Sequence, residues 1–178
     1  ILFTKPIQIK GDISSQYLTA LLIAGPIMGG KFTIEIIGEL ISKPYITITL
    51  KLLEKFNIFY DNQNWRTFSL RSNSKYTNPK KIYVEGDASS ASYFFAAAAL
   101  AGEIQIKGIN KSSIQGDLKF LNIISEMGAK VEYKVDSIIV SKAKILKGLE
   151  IDCIEIPDAA MTLSVLAVFA DSPTKLKN

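Results

Sequence analysis

The chain has 178 residues, 48% of them hydrophobic and 21% charged, which is enough apolar sequence for a sizeable core and unlike a disordered chain. Its formal charge of +4 comes from 21 Lys and Arg set against 17 Asp and Glu; only Lys80-Lys81 are adjacent and no basic face is interleaved with aromatics, so small anions are expected as partners and nucleic acid is not. The count of histidines is zero and Cys153 is the single cysteine, which excludes His-dependent triads, His bases, His-ligated zinc and an internal disulfide, and fits a reducing cytoplasm.

No run approaches the ~20 apolar residues of a membrane span, and no charged n-region precedes a cleavage site. Membrane association is not expected. The opening Ile1, where a methionine would normally stand, leads to the expectation that the chain is an excerpt.

In chain order, GDISSQYLTALLIAG (11–25) places an acid and two serines before an apolar helix, which Gly25-Pro26 is expected to stop because both residues break helix interiors. Gly29-Gly30-Lys31 lacks the frame of a phosphate loop and reads as a turn. KFTIEIIG alternates as a strand with Phe32, Ile34 and Ile36 on one face. SKPYITITLKLLEKFN is a second helix: Pro44 suits the first turn, Ser42 and Lys43 stand just outside, and Leu50, Leu53 and Phe56 recur at helical spacing. IFYDNQNW and TFSLRS read as a hairpin turned at Asp61-Asn62. Lys80-Lys81 reads as a solvated linker.

The order then recurs. A helix from about Ser89 to Leu100 follows GDASS, then the strand EIQIKGI, the helix DLKFLNIISEMG and the hairpin AKVEYKVDSIIVSK. Asp12 and Asp87 stand 75 positions apart and Gly38 and Gly108 stand 70 apart. A third copy begins at IPDAAMTLSVLAVFA, with Asp158 lying 71 positions after Asp87, and stops after one helix and one strand. A period of roughly 70 residues means stacked strand-helix-strand-helix-strand-strand units of α/β (α+β) class. The AAAAL and LSVLAVFA runs have almost no polar side, so their helices are expected to be buried all round, beneath their sheets.

Candidate site residues lie where the copies diverge: Ser14-Ser15-Gln16 in the first, Ser89-Ser90-Ala91 in the second, Ala160-Met161-Thr162 behind Pro157-Asp158 in the third. Capping accounts for Asp87, Ser89 and Ser90. Ser14, Ser15 and Gln16 admit two readings, a cap or a site in which helix N-H groups, two hydroxyls and an amide receive a phosphate or carboxylate. Asp158, flanked by apolar sequence, is either a cap or a partly desolvated base towards a substrate hydroxyl. Tyr45, with Ser42, is either core or part of the same site. Cys153 reads as a small buried residue on a strand.

GDISSQYLTALL, ELISKPYITITL, VEGDASSASYFFAAAA, SSIQGD and IPDAAMT resemble, in the same order and at similar spacing, the motifs of the bacterial 5-enolpyruvylshikimate-3-phosphate synthases (3-phosphoshikimate 1-carboxyvinyltransferases). The resemblance covers essentially the whole chain and is weakest in the hairpins, residues 57–82 and 129–152. It implies an inside-out α/β barrel of the enolpyruvyl transferase type built from repeated βαβαββ units, here incomplete: residues 1–84 would be the last unit of one domain, and 85–178 one unit and the start of another in the second. Enolpyruvyl transfer from phosphoenolpyruvate to the 5-hydroxyl of shikimate 3-phosphate, without cofactor or metal, is the implied activity, in a cytoplasmic monomer with its site in a cleft between domains. Ser14 and Ser15 would bind the substrate phosphate, Gln16 would touch both substrates, Ser42 and Tyr45 would line the shikimate site, and Asp158 would hold the ring hydroxyls and accept a proton. The cations that bind phosphoenolpyruvate and the acidic proton donor would lie before Ile1 and beyond Asn178, so the chain by itself is expected not to turn over. A UDP-N-acetylglucosamine enolpyruvyl transferase and a non-catalytic folded fragment remain as alternatives.

Overall fold

The computed structural model describes residues 5–29 and 32–178; Gly30 and Lys31 of the expected glycine turn therefore lie outside the described residues, as does Ile1. The chain divides into two compact units, residues 1–82 and 83–178.

In the first unit, strand β1 (Ile7–Lys10) leads to helix α1 (Ser15–Met28), strand β2 (Phe32–Ile37), helix α2 (Lys43–Lys55) and strands β3 (Tyr60–Gln63) and β4 (Thr67–Leu70). The sheet runs β1-β2-β4-β3, with β1 parallel to β2 and β4 antiparallel to both of its neighbours. The alternation of β2 has the expected consequence: Phe32, Ile34 and Ile36 are buried. They form a core with Leu18 and Leu22 of α1, Ile46, Leu50 and Leu53 of α2, and Phe68 and Leu70 of β4.

Two expectations in this unit are corrected. Helix α1 runs through Gly25-Pro26 to Met28. A Cβ at Gly25 would stand 2.4 Å from Leu70 Cδ1 and 2.9 Å from Phe32 Cδ1, so the glycine is there to let the helix lie close on the sheet. Pro26 removes one intrahelical donor and disturbs the preceding turn, where the Tyr76 hydroxyl donates to the Ile23 carbonyl at 2.6 Å. The hairpin turns at Asn64-Trp65, both at positive φ (52° and 61°), and not at Asp61-Asn62, which lie in β3. The Asn62 side chain accepts from the Trp65 N-H at 2.9 Å, and the Trp65 ring meets Phe68 edge-on at 6.2 Å, so packing selects the turn. One smaller difference concerns Lys43, which is inside α2.

The second unit holds α3 (Ala88–Ala101), β5 (Glu103–Lys107), a 3-10 turn (Gly116–Leu118) continuing into α4 (Lys119–Glu126), and β6 (Lys130–Tyr133) and β7 (Ser137–Ser141), with sheet order β5-β7-β6. The strand that the repeat leads one to expect before α3 is not formed; what joins this segment to its neighbour is one backbone bond, Gly86 N-H to Gly108 O at 2.7 Å, with Tyr83 and Val84 exposed. The third copy gives β8 (Glu150–Asp152), a 3-10 turn (Pro157–Ala159), α5 (Ala160–Val168) and β9 (Lys175–Lys177), with β8 and β9 parallel. Cys153 follows β8 instead of lying on it, and is buried; its thiol is pushed up by that burial and then by Asp152.

Helices α3, α4 and α5 share a core with the sheet, in which Phe95, Phe120, Ile124 and Leu163 are fully enclosed. The all-round burial expected of α3 and α5 holds on one side of each. Tyr93, Phe94, Met161, Val165 and Val168 are exposed, because a helix face is buried only where another element lies on it. Between α3 and α5 this leaves an apolar groove of about 380 Å³ lined by Tyr93, Leu100, Met161 and Val165 among others. Among the described residues no helix is long and apolar enough to cross a membrane.

Candidate functional site

Strands β1 and β2 are parallel, and each is followed by a helix that returns along the sheet, so α1 and α2 run side by side in one direction. Both helix N-termini therefore stand at the carboxyl ends of β1 and β2, the end at which open α/β sheets build ligand sites. The two connecting loops are joined there: Gly11 N-H donates to Ile37 O at 3.0 Å, and Ile41 N-H donates to Gly11 O at 3.1 Å. Gly11 permits this approach, since a Cβ on it would lie 2.6 Å from both Glu39 O and Ile36 Cγ2. Nothing in the local letters beyond a glycine after a strand marks that role.

Five candidate residues come together at this end of the first unit. Ser14 is the N-cap of α1 and its hydroxyl accepts from Gln16 N-H at 3.2 Å, so the capping reading holds for it. Ser15 is buried at the first helical position and Gln16 is exposed at the second. Ser42 caps α2 without using its side chain, with φ 53° and ψ 38°, a left-handed conformation that serine rarely adopts. Tyr45 is half-buried in the first turn of α2. The first turns of both helices present N-H groups and the positive ends of their dipoles, an environment suited to an anionic ligand.

The structure changes how the copies correspond. The N-cap of α3 is Asp87, whose carboxylate accepts from Ser89 N-H at 3.0 Å. Matching cap to cap, Ser14 corresponds to Asp87 at an offset of 73, where the shared letters give 75. Burial agrees with the caps: Ser15, Leu18, Leu22 and Gly25 of α1 are buried, and so are Ala88, Ala91, Phe95 and Ala98 of α3. In the third copy Ala159, Thr162 and Leu166 are buried in the same rhythm, which puts Asp158 at the position of Ser14 and Asp87. Gln16 therefore corresponds to Ser89, and the sequence-level match to Ala91 is corrected.

Unit two closes its helix start internally. The Ser90 hydroxyl donates to Asp87 and the Ser89 hydroxyl to the buried Asp117 at 2.8 Å. The Ser90 hydroxyl, and less strongly the Ser89 and Ser90 amides, hold the Asp87 carboxyl below its usual range. Gln115, which the sequence reading passed over inside SSIQGD, accepts from Ala88 N-H at 2.8 Å and donates to Gly86 O at 2.8 Å and Glu85 at 3.0 Å. Asp158 is exposed in the 3-10 turn ahead of α5, so the desolvation expected from its apolar flanks is not found. That turn is anchored by the buried Ile156, whose carbonyl accepts from Ala159 N-H at 3.0 Å, and by the Lys119–Glu155 ion pair. No cluster of three or more His, Cys, Asp or Glu that could hold a metal occurs among the described residues.

The chain matches the family model described as EPSP synthase (3-phosphoshikimate 1-carboxyvinyltransferase) over residues 2–178. It is similar to the curated 3-phosphoshikimate 1-carboxyvinyltransferase of Actinobacillus pleuropneumoniae serotype 5b (strain L20), 51% identical over 97% of this chain and 40% of that protein. Similarity to the enzyme of the same name from Histophilus somni (strain 2336) is 48% over 99% of this chain and 41% of that protein. The chain thus spans about two fifths of the length of these curated relatives. Among solved structures, the enolpyruvyl transferase NikO from Streptomyces tendae matches with a TM-score of 0.76 at 17% identity, over 97% of this chain and 44% of that one. An EPSP synthase from Acinetobacter baumannii matches with a TM-score of 0.71 at 22% identity, over 97% of this chain and 40% of that one. The fold is the one these transferases share.

Proposed function

The chain belongs to the EPSP synthase family, and from that membership we propose that the protein carrying it transfers the enolpyruvyl group of phosphoenolpyruvate to the 5-hydroxyl of shikimate 3-phosphate. Phosphate is released through a tetrahedral addition-elimination intermediate, and the protein acts as a cytoplasmic monomer. Residues 1–84 serve as the last βαβαββ unit of one domain, and 85–178 as one unit and the beginning of another in the second.

The observation that carries this reading is the joined carboxyl end of β1 and β2. Two helix N-termini, three hydroxyl-bearing residues (Ser14, Ser15, Ser42), the Gln16 amide and the Tyr45 phenol stand there together. Ser14 and Ser15 bind the phosphate of shikimate 3-phosphate, assisted by first-turn N-H groups; Gln16 reaches both substrates; Ser42 and Tyr45 line the ring. As the 5-hydroxyl adds to phosphoenolpyruvate, its proton passes to Asp158, which also holds the ring hydroxyls. Asp158 suits that task as an exposed carboxylate, a group that accepts hydrogen bonds from sugar-like hydroxyls.

Isothermal titration tests the reading. Shikimate 3-phosphate is expected to bind, with affinity reduced about 10-fold or more in Ser15→Ala, the usual effect of removing a hydrogen bond to a charged group. Absence of binding to the full-length protein would refute it, whereas heat with UDP-N-acetylglucosamine would favour the sister transferase. The 178-residue chain by itself is expected to release no phosphate from phosphoenolpyruvate, since none of its lysines or arginines matches the cations that would stabilise the departing oxyanion in this family.

A further inference from the structure

Two contacts between helices, one half-buried and one buried, are polar where alanine or valine would pack. In the first unit the Thr19 and Thr49 hydroxyl oxygens are 3.0 Å apart, linking α1 to α2, and Thr49 is 7% exposed. In the second, the Ser92 and Thr162 hydroxyl oxygens are 3.4 Å apart between α3 and α5, at 1% and 5% exposure. A buried hydroxyl is worth keeping only if its hydrogen bond does something that apolar packing would not.

The proton count gives the first contact a direction. Each hydroxyl has one proton. Thr49 donates its own to the Tyr45 carbonyl at 3.2 Å, so Thr19 must donate to Thr49. A chain of two hydrogen bonds therefore runs from α1 into the backbone of Tyr45. Helical spacing fixes what lies above it: Thr19 is four residues after Ser15 and Thr49 four after Tyr45, one turn or about 6 Å along helices that run in the same direction. The second contact is built the other way round: by the same count Thr162 donates to Ser92 and the chain ends on α3. Ser92 donates to Ser89 O at 2.6 Å, and Thr162 is four residues after Asp158. Ser92 stands five residues after its cap Asp87, as Thr19 stands five after Ser14.

We propose that Thr19 and Thr49 are positioning residues for the substrate site, a hydroxyl bridge that sets the spacing and register of Ser15 and Tyr45 across the two helix starts. This rests on the reading of Ser15 and Tyr45 as substrate-binding residues. Since both partners of the first bridge can be replaced by a side chain of the same shape, fold and positioning are separable: an apolar pair can be as stable as the polar one, without its directionality.

The decisive comparison, made in the full-length protein, is Thr19→Val/Thr49→Val against Thr19→Ser/Thr49→Ser. The valine pair is expected to keep the wild-type thermal midpoint within a few degrees while its Kd for shikimate 3-phosphate rises about 3- to 10-fold, the range of one to two lost neutral hydrogen bonds; the serine pair is expected to restore tight binding. Wild-type affinity in the valine pair would overturn the inference. Should the wild-type protein itself fail to bind shikimate 3-phosphate, the substrate reading falls separately. The bridge is then judged in the ligand-free protein by amide shifts of Ser15, Gln16 and Tyr45. Displacement in the valine pair with recovery in the serine pair supports it, and wild-type shifts at all three residues in the valine pair overturn it.

Discussion

Ser42 shows how a single residue can be held in an unfavourable state at a place where ligands are expected. A left-handed serine costs about 1–2 kcal/mol, and its hydroxyl recovers none of this by capping α2. Glycine would relieve the strain but would give up about 0.5–1 kcal/mol of unfolded-chain entropy, leaving a net gain between about 0 and 1.5 kcal/mol. Ser42→Gly is therefore expected to leave the denaturant midpoint unchanged or slightly raised, while weakening shikimate 3-phosphate binding in titration. A lowered midpoint would show that the serine side chain supports the fold instead. Side-chain identity was legible here from SKPY, but the backbone state was not, because φ at a non-glycine residue is set by the loop on both sides of it.

At the scale of elements, the joined loops between β1 and α1 and between β2 and α2 decide whether two helix starts make one site. Gly11→Ala forces a methyl group to 2.6 Å from the Glu39 carbonyl, which belongs to backbone and cannot rotate away. The loops must part, at a cost of about 1–3 kcal/mol typical of overpacking. Chemical denaturation should register that loss, with a parallel fall in affinity for shikimate 3-phosphate. Local pattern was a good guide to elements whose reasons are local: β2 by its alternation, α2 by Pro44 and its apolar spacing. It misled where the reason is distant. Helix α1 lies against the sheet at Gly25-Pro26 because Leu70 and Phe32 leave no room for a Cβ there, and Tyr76, 53 residues from Ile23, ties its carbonyl to a distant segment. Hydroxyl bridges such as Thr19–Thr49 were invisible for the same reason, since each half looks like an ordinary helix threonine.

For the whole molecule, the two units each enclose a core of their own, and the second also displays the groove between α3 and α5. Met161 is 76% exposed and Val165 54% exposed along it, a contiguous apolar lining of the kind that attracts hydrophobic probes. The 178-residue chain is expected to enhance the fluorescence of an anilinonaphthalene sulfonate dye, and Met161→Lys/Val165→Lys to abolish most of that enhancement. Thermal stability should move by no more than about 0.5 kcal/mol per substitution, as at other surface positions. Repetition itself was readable from letters alone, and the correspondence of the copies was not. A helix advances about 100° per residue, so superposing the copies on their shared Gly-Asp-x-Ser-Ser letters, two positions away from the caps, rotates one helix against the other by about 200°. A chimaera spliced at the conserved-looking letters would turn Phe95 to water and Tyr93 to the sheet; spliced at the caps, it would keep the helix the right way round.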